Sequence, residues 1–135
     1  MDSSKLTFFS LNIGMSSTLA GLVHLVQSEN IDIIFLQEVK LTSIEIEYQL
    51  PGFSASVNID SFNPSKPGTA IVWRSSIPVT DVISLSSCRL QVATLGRFKL
   101  INVYAPSGSE KNVKGKLFIL MMSLTSSSLD LRMHG

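Results

Sequence analysis

The chain has 135 residues, which suits one domain and is short for two. Apolar residues make up 44% of it and mean hydropathy is positive, a balance that excludes wholesale disorder. Eleven basic residues against ten acidic ones leave a net charge of +1, so bulk charge does not point to nucleic acid.

Leu6 to Ile13, "LTFFSLNI", is rich in β-formers and predicts a first strand. "GMSS" breaks it, and Ser16 or Ser17 is a candidate cap for a following helix. In that helix Leu19, Leu22, Val23 and Val26 form one apolar stripe, with His24 off it and exposed. The run "IDIIFLQEVK", Ile31 to Lys40, shows no alternation, as expected of a strand covered on both faces. Strand, helix, strand predicts a parallel βαβ unit.

"TSIEIEYQL" predicts a short helix ended by Pro51-Gly52, and "FSASVNI" a half-buried strand. "DSFNPSKPG" reads as a loop and "TAIVWRS" as a strand in which Trp73 is a core or rim aromatic. Three strand candidates follow in "VTDVISLS", "CRLQVATL" and "RFKLINVYAP", with Gly96 marking a tight hairpin. A last helix is expected over about Glu110 to Leu124, with Leu117, Leu120, Met121 and Leu124 on one side. The Ser-rich tail, residues 121–135, is expected to fray.

Cys88 is the sole cysteine and excludes an intrachain disulfide, which fits a reducing compartment; it reads as a small core or surface residue. No apolar run reaches the roughly 18 residues of a membrane helix, and "MDSSKLTFFS" is a poor secretory signal. An intracellular protein of nucleus or cytoplasm, with no membrane partner, is the expectation. Arg97, Lys99, Lys111, Lys114 and Lys116 form a locally basic stretch, either a solvated face or a phosphate-binding patch.

Three strand ends carry polar groups suited to chemistry. Asn12 is either a turn-forming amide or a donor to phosphate or to a carboxylate. Glu38 ends the strand after Asn12's strand, and in open α/β sheets ligands gather at that rim. It is either a solvated strand end or a carboxylate for Mg²⁺, which needs only one or two such ligands beside substrate phosphate. Tyr104 is either a rim aromatic or a hydrogen-bonding phenol.

Taken in order, "LNIG", "DIIFLQEV", "GTAIVWR" and "LINVYAPSGS" resemble the endonuclease/exonuclease/phosphatase superfamily. More narrowly, they resemble the apurinic-endonuclease-like domain of non-LTR retrotransposon polyproteins. The matching segment runs from about Leu6 to about Leu120. The resemblance implies two β-sheets packed face to face with helices outside both, and Mg²⁺- or Mn²⁺-dependent hydrolysis of phosphodiester bonds in DNA. It makes Glu38 the metal ligand, Asn12 an organiser of the site and Tyr104 a neighbour of the scissile phosphate. Lys111, Lys114 and Lys116 become candidate nucleic-acid contacts.

The family's Asp-x-Asn and Ser-Asp-His motifs do not occur in the chain. The expectation is therefore an α/β fold forming half of a four-layer sandwich, its second sheet largely missing. Residues 1–120 would be the N-terminal portion of the family domain and 121–135 an unrelated tail. Metal would bind weakly, and catalysis would fail without the absent groups, since general acid–base help is worth roughly 10²–10⁴-fold. An uncovered apolar sheet face would seek the missing half-domain or a second copy. The competing reading is a non-catalytic retrotransposon remnant or a nucleic-acid-binding module.

Overall fold

A computed structural model describes residues 5–60, 62–63, 65–85, 89–104, 117–122 and 130–134. Cys88, Glu110, Lys111, Lys114 and Lys116 lie outside the described residues, so the readings placed on them stand as sequence expectations.

The first sheet has the order β3-β4-β2-β1-β9. Its strands are β1 (Lys5–Asn12), β2 (Ile33–Val39), β3 (Phe53–Asn58), β4 (Gly68–Arg74) and β9 (Asp130–His134). β1 and β2 run parallel with Asn12 opposite Gln37, and helix α1 (Ala20–Glu29) makes the crossover, so the βαβ unit is present. β2 is central and its Ile33, Ile34, Phe35 and Leu36 are fully buried, as a run without alternation requires.

Helix α2 (Ser43–Gln49) starts on a capping box. Thr42 Oγ1 accepts from Glu45 N at 3.2 Å, and Glu45 Oε1 accepts from Thr42 N at 2.8 Å. The start of α1 is served differently. Its N-cap is Leu19, not Ser16 or Ser17, and no side chain of the cap residue bonds there. Gln49 of α2 reaches across and accepts from Leu19 N at 2.7 Å. This tertiary contact adds to a local one, in which Thr18 Oγ1 accepts from Ala20 N at 3.3 Å, so the hydroxyl that serves the helix start is that of Thr18 and not of Ser16 or Ser17.

The second sheet has the order β5-β6-β7-β8, all antiparallel. It contains β5 (Val79–Leu85), β6 (Leu90–Leu95), β7 (Phe98–Val103) and β8 (Leu117–Met122), with Gly96 at positive φ in the β6–β7 turn. The architecture is α/β, a partial sandwich. Its second sheet is more complete than the sequence suggests, with four strands from this chain.

Two sequence expectations are corrected here. Leu117–Met122 is a strand paired to β7, with Ile119 opposite Ile101, and not the middle of a helix. "LFILMM" is a short continuous apolar run, for which periodicity cannot separate strand from helix; the open edge of β7 decides. In the tail, Asp130–His134 does not fray. It adds parallel to β1 and takes up that strand's otherwise unpaired edge groups.

Two cores follow from strand alternation. Phe9, Ile34, Leu36, Val39, Ala70 and Val72 face the helices and pack with Leu22, Val26 and Ile46. Phe8, Ile33, Phe35 and Ile71 face the second sheet and meet Ala93, Leu95 and Leu100, with Trp73 half-buried beside them. Phe8 and Phe35 stack with ring centroids 5.9 Å apart. Among the described residues no helix covers the outer face of the second sheet, and Ile83 and Leu85 of its edge strand are exposed.

Gly68 stands where β4 enters the first sheet, opposite Val39. A Cβ there would run into the Asn58 carbonyl oxygen and Ile59 Cγ2. Gly68→Ala is expected to cost about 1–3 kcal/mol, read as a lower urea midpoint with an unchanged slope.

Candidate functional site

The interior between the sheets changes character along its length. At one end lie Phe8, Ile33, Phe35, Ile71 and Leu100. At the other lie Ser10, Gln37, Thr69, Gln91 and Asn102, all buried and all polar. Asn12, Glu38 and Tyr104 sit at the rim of this polar end. The register shows it, since Asn12 pairs with Gln37 and Gln37 with Thr69.

Glu38 owes its direction to a β-bulge. The β2–β4 register passes from Gln37↔Thr69 to Val39↔Gly68, so Glu38 is an extra residue with no partner on β4. Its φ is 55°, in the left-handed region. Simple alternation would send Glu38 to the helix side and Val39 between the sheets. The bulge reverses this: Val39 packs in the helix-side core, and Glu38 turns to the second sheet. There Tyr104 donates its O–H to Glu38 Oε2 at 3.0 Å. Bulges commonly re-aim a side chain in this way. The bulge is held from the other side by the loop after β1, where Ile13 N donates to Gln37 O at 3.0 Å and Met15 N to Glu38 O at 2.8 Å.

Tyr104 is buried, and its backbone N–H donates to Arg89 O at 2.8 Å. Burial pushes its phenol above the ordinary value of 10.0, the Glu38 carboxylate adds to the rise, and Arg89 partly offsets it. Glu38 is half-buried and has no ion-pair partner among the described residues. Asn12 is half-buried too, and its Oδ1 accepts from Gly14 N at 2.9 Å. It caps the turn, and no hydrogen bond joins it to Glu38 among the described residues.

The structure therefore joins Glu38 and Tyr104, which are 66 residues apart, and puts Asn12 on the same rim. It does not bring the described part of the basic stretch there. Arg97 lies in the β6–β7 turn and Lys99 in the second pair from it, opposite Thr94, to whose Oγ1 its Nζ donates at 2.7 Å. Both are at the end of β7 remote from Tyr104. The sequence reading also passed over Asn102 and the burial of Gln37. An amide in phase with Leu100 and Tyr104 inside the apolar run "LINVY" was the available signal.

As to a metal, no group of three or more His, Cys, Asp or Glu side chains converges among the described residues. What is present fits a Mg²⁺ ion held by one carboxylate and otherwise by water and substrate oxygens. Glu38 is half-buried, without an ion-pair partner among the described residues, and turned towards Tyr104 across the rim.

Two outcomes test this geometry. Because the folded-state phenol of Tyr104 titrates above 10.0, its share of stability is complete below about pH 10 and is lost as pH rises through the raised value. Glu38→Gln should move the phenolate absorbance titration of Tyr104 down towards, but not fully to, that of an exposed tyrosine. Because Glu38 has left-handed backbone, Glu38→Gly should be more stable than Glu38→Ala by about 1 kcal/mol in urea denaturation. Equal stabilities would argue against the bulge.

No curated protein sequence matches the chain. Among solved structures, humanized D. rerio TDP2 carrying 14 mutations is similar at 18% identity and a TM-score of 0.41. The alignment covers 87% of this chain and 46% of that one, so the chain spans under half of that structure. The model of the endonuclease/exonuclease/phosphatase family matches residues 9–106, which include Asn12, Glu38 and Tyr104. The chain belongs to the endonuclease/exonuclease/phosphatase family.

Proposed function

We propose that the chain carries one wall of a metal-dependent phosphodiesterase site that acts on DNA, of the kind associated with non-LTR retrotransposons. The observation that carries the proposal is the half-buried Glu38 carboxylate, turned across the rim by a bulge onto the Tyr104 hydroxyl. The family generally uses divalent metal ions. Glu38 would hold Mg²⁺ or Mn²⁺, and the ion when bound would supply positive charge against the phosphoryl oxygens. Tyr104 would hold Glu38 Oε2 in place through its phenol, which stays protonated at neutral pH. The Asn12 amide, fixed by its bond to Gly14 N, would present Nδ2 as a donor to phosphate. The retrotransposon assignment is supported by the ordered motifs, above all "FLQEV" and "NVYAPSGS".

The chain contains neither Asp-x-Asn nor Ser-Asp-His, the motifs that supply a base and an imidazole in the family it resembles. We infer that turnover needs those groups from further polypeptide. The exposed Ile83 and Leu85 on the edge strand β5 mark a place where a further strand could add.

Electron paramagnetic resonance titration with Mn²⁺ tests the site. Weak binding is expected, and Glu38→Gln should reduce it by more than the roughly ten- to hundredfold typical of losing a supporting group. Binding that Glu38→Gln leaves unchanged would sink the metal reading. Incubation with abasic-site DNA and supercoiled plasmid should show no Mg²⁺-dependent nicking above the chelator control. Robust nicking that Glu38→Gln removes would overturn the need for further groups.

A further inference from the structure

Two fully buried amides face each other between the sheets, Gln37 on β2 and Asn102 on β7. Gln37 Nε2 donates to Asn102 Oδ1 at 3.0 Å. The orientation of both groups follows from their neighbours. Asn102 Nδ2 donates to Leu36 O at 3.1 Å and to Ala70 O at 2.9 Å, so only Oδ1 can face Gln37. Gln37 Nε2 also reaches Ser10 Oγ at 3.2 Å. One network thus grips β1, β2, β4 and β7.

Its place in the sequence matters. Gln37 immediately precedes Glu38, Asn102 lies two residues before Tyr104, and Ser10 two before Asn12. Leu36 and Ala70 form the register pair next to Gln37 and Thr69, after which the register shifts. Asn102 therefore clamps the two strands just beneath the bulge.

This network is not an economical source of stability. Among the described residues, Gln37 Oε1, Thr69 Oγ1 and Gln91 Oε1 are buried without a hydrogen-bond partner. Such groups are destabilising, and an apolar pair in place of two bonded polar groups can be neutral or better. What directed bonds add over an apolar contact is a fixed offset between the sheets. The Glu38–Tyr104 pair is a cross-sheet pair and depends on that offset.

We propose that Gln37 and Asn102 are positioning residues, which set the spacing of Glu38 and Tyr104 across the sandwich without touching metal or substrate. This rests on the reading of Glu38 and Tyr104 as the site, and the test separates the two.

The full chain is prepared with ¹³Cζ-labelled tyrosine, which gives two signals, from exposed Tyr48 and from Tyr104. The double variant Gln37→Met/Asn102→Leu replaces both amides with side chains of similar size. Its urea midpoint should fall modestly, because Leu36 O, Ala70 O and Ser10 Oγ each lose a donor. The metal-free Tyr104 signal should move to the position it takes in Glu38→Gln, and Mn²⁺ affinity should fall about tenfold or more. Ile71→Val, which loosens the same interface in its apolar part, should lower the midpoint and leave both readouts in place. If the double variant does not fold, Gln37→Met alone is read the same way, because it keeps the Asn102 bonds to Leu36 and Ala70. A Tyr104 signal unchanged by removal of the amides overturns the inference. Absence of Glu38-dependent Mn²⁺ binding in the parent overturns the site reading instead, while the Tyr104 signal still decides this one.

Discussion

One extra residue in β2 organises the rim. Without the bulge at Glu38, the strand would place that carboxylate against the helices and Val39 between the sheets. With it, Val39 joins the helix-side core and Glu38 faces Tyr104. The left-handed backbone required of a glutamate is unfavourable, and it persists because neighbours over-determine it. Met15 N holds the Glu38 carbonyl, Ile13 N holds that of Gln37, and Asn102 holds that of Leu36. Strain of this kind concentrates where a side chain must point against the pattern of its strand.

The interior behind the rim follows the same logic. A uniformly apolar sandwich would be easier to stabilise, and half of this one is built so, from stacked phenylalanines to Leu100. The other half trades that for amides and hydroxyls with directed bonds. At the far end of β1 and β2 polarity serves a different purpose. There buried Asp32 accepts from Thr7 N at 2.8 Å and pairs with Arg74 Nε at 3.4 Å, while Arg74 lies over the Phe53 ring. That cluster ties the end of β4 to the starts of its neighbours in the ordinary manner of a fold. The network around Gln37 instead ties one sheet to the other.

Much of the fold was legible in the sequence because it rests on local pattern. The unbroken run from Ile31 to Leu36 announced a central strand, and the stripe of Leu19, Leu22 and Val26 an amphipathic helix. The misread segments are those whose conformation is decided by a distant edge. Leu117–Met122 pairs with β7 and Asp130–His134 with β1, and neither carries a period of its own. The site divides the same way. Asn12 and Glu38 were placed on one rim by the βαβ argument, Tyr104 stood out as a strand-end phenol, and only resemblance to a family put it at the same site. The bulge left no trace, since no glycine or asparagine marks position 38, and a contact over 66 residues of sequence has no local signal.

The segment "GMSS" looks like punctuation between a strand and a helix, and Gly14 is exposed. Its backbone behaves otherwise. Ile13 N and Met15 N are bonded to the central strand, and the far side of the loop is held through Gln49, whose Oε1 takes Leu19 N and whose Nε2 meets Ser17 O at 3.2 Å. In amide hydrogen exchange these two N–H groups belong with the sheet and not with the surface. Their exchange is expected to require opening of the parallel pair itself. In that sense the rim is not a loop laid over a scaffold but the last rung of the β1–β2 ladder, bonded to the carbonyls of Gln37 and Glu38 themselves.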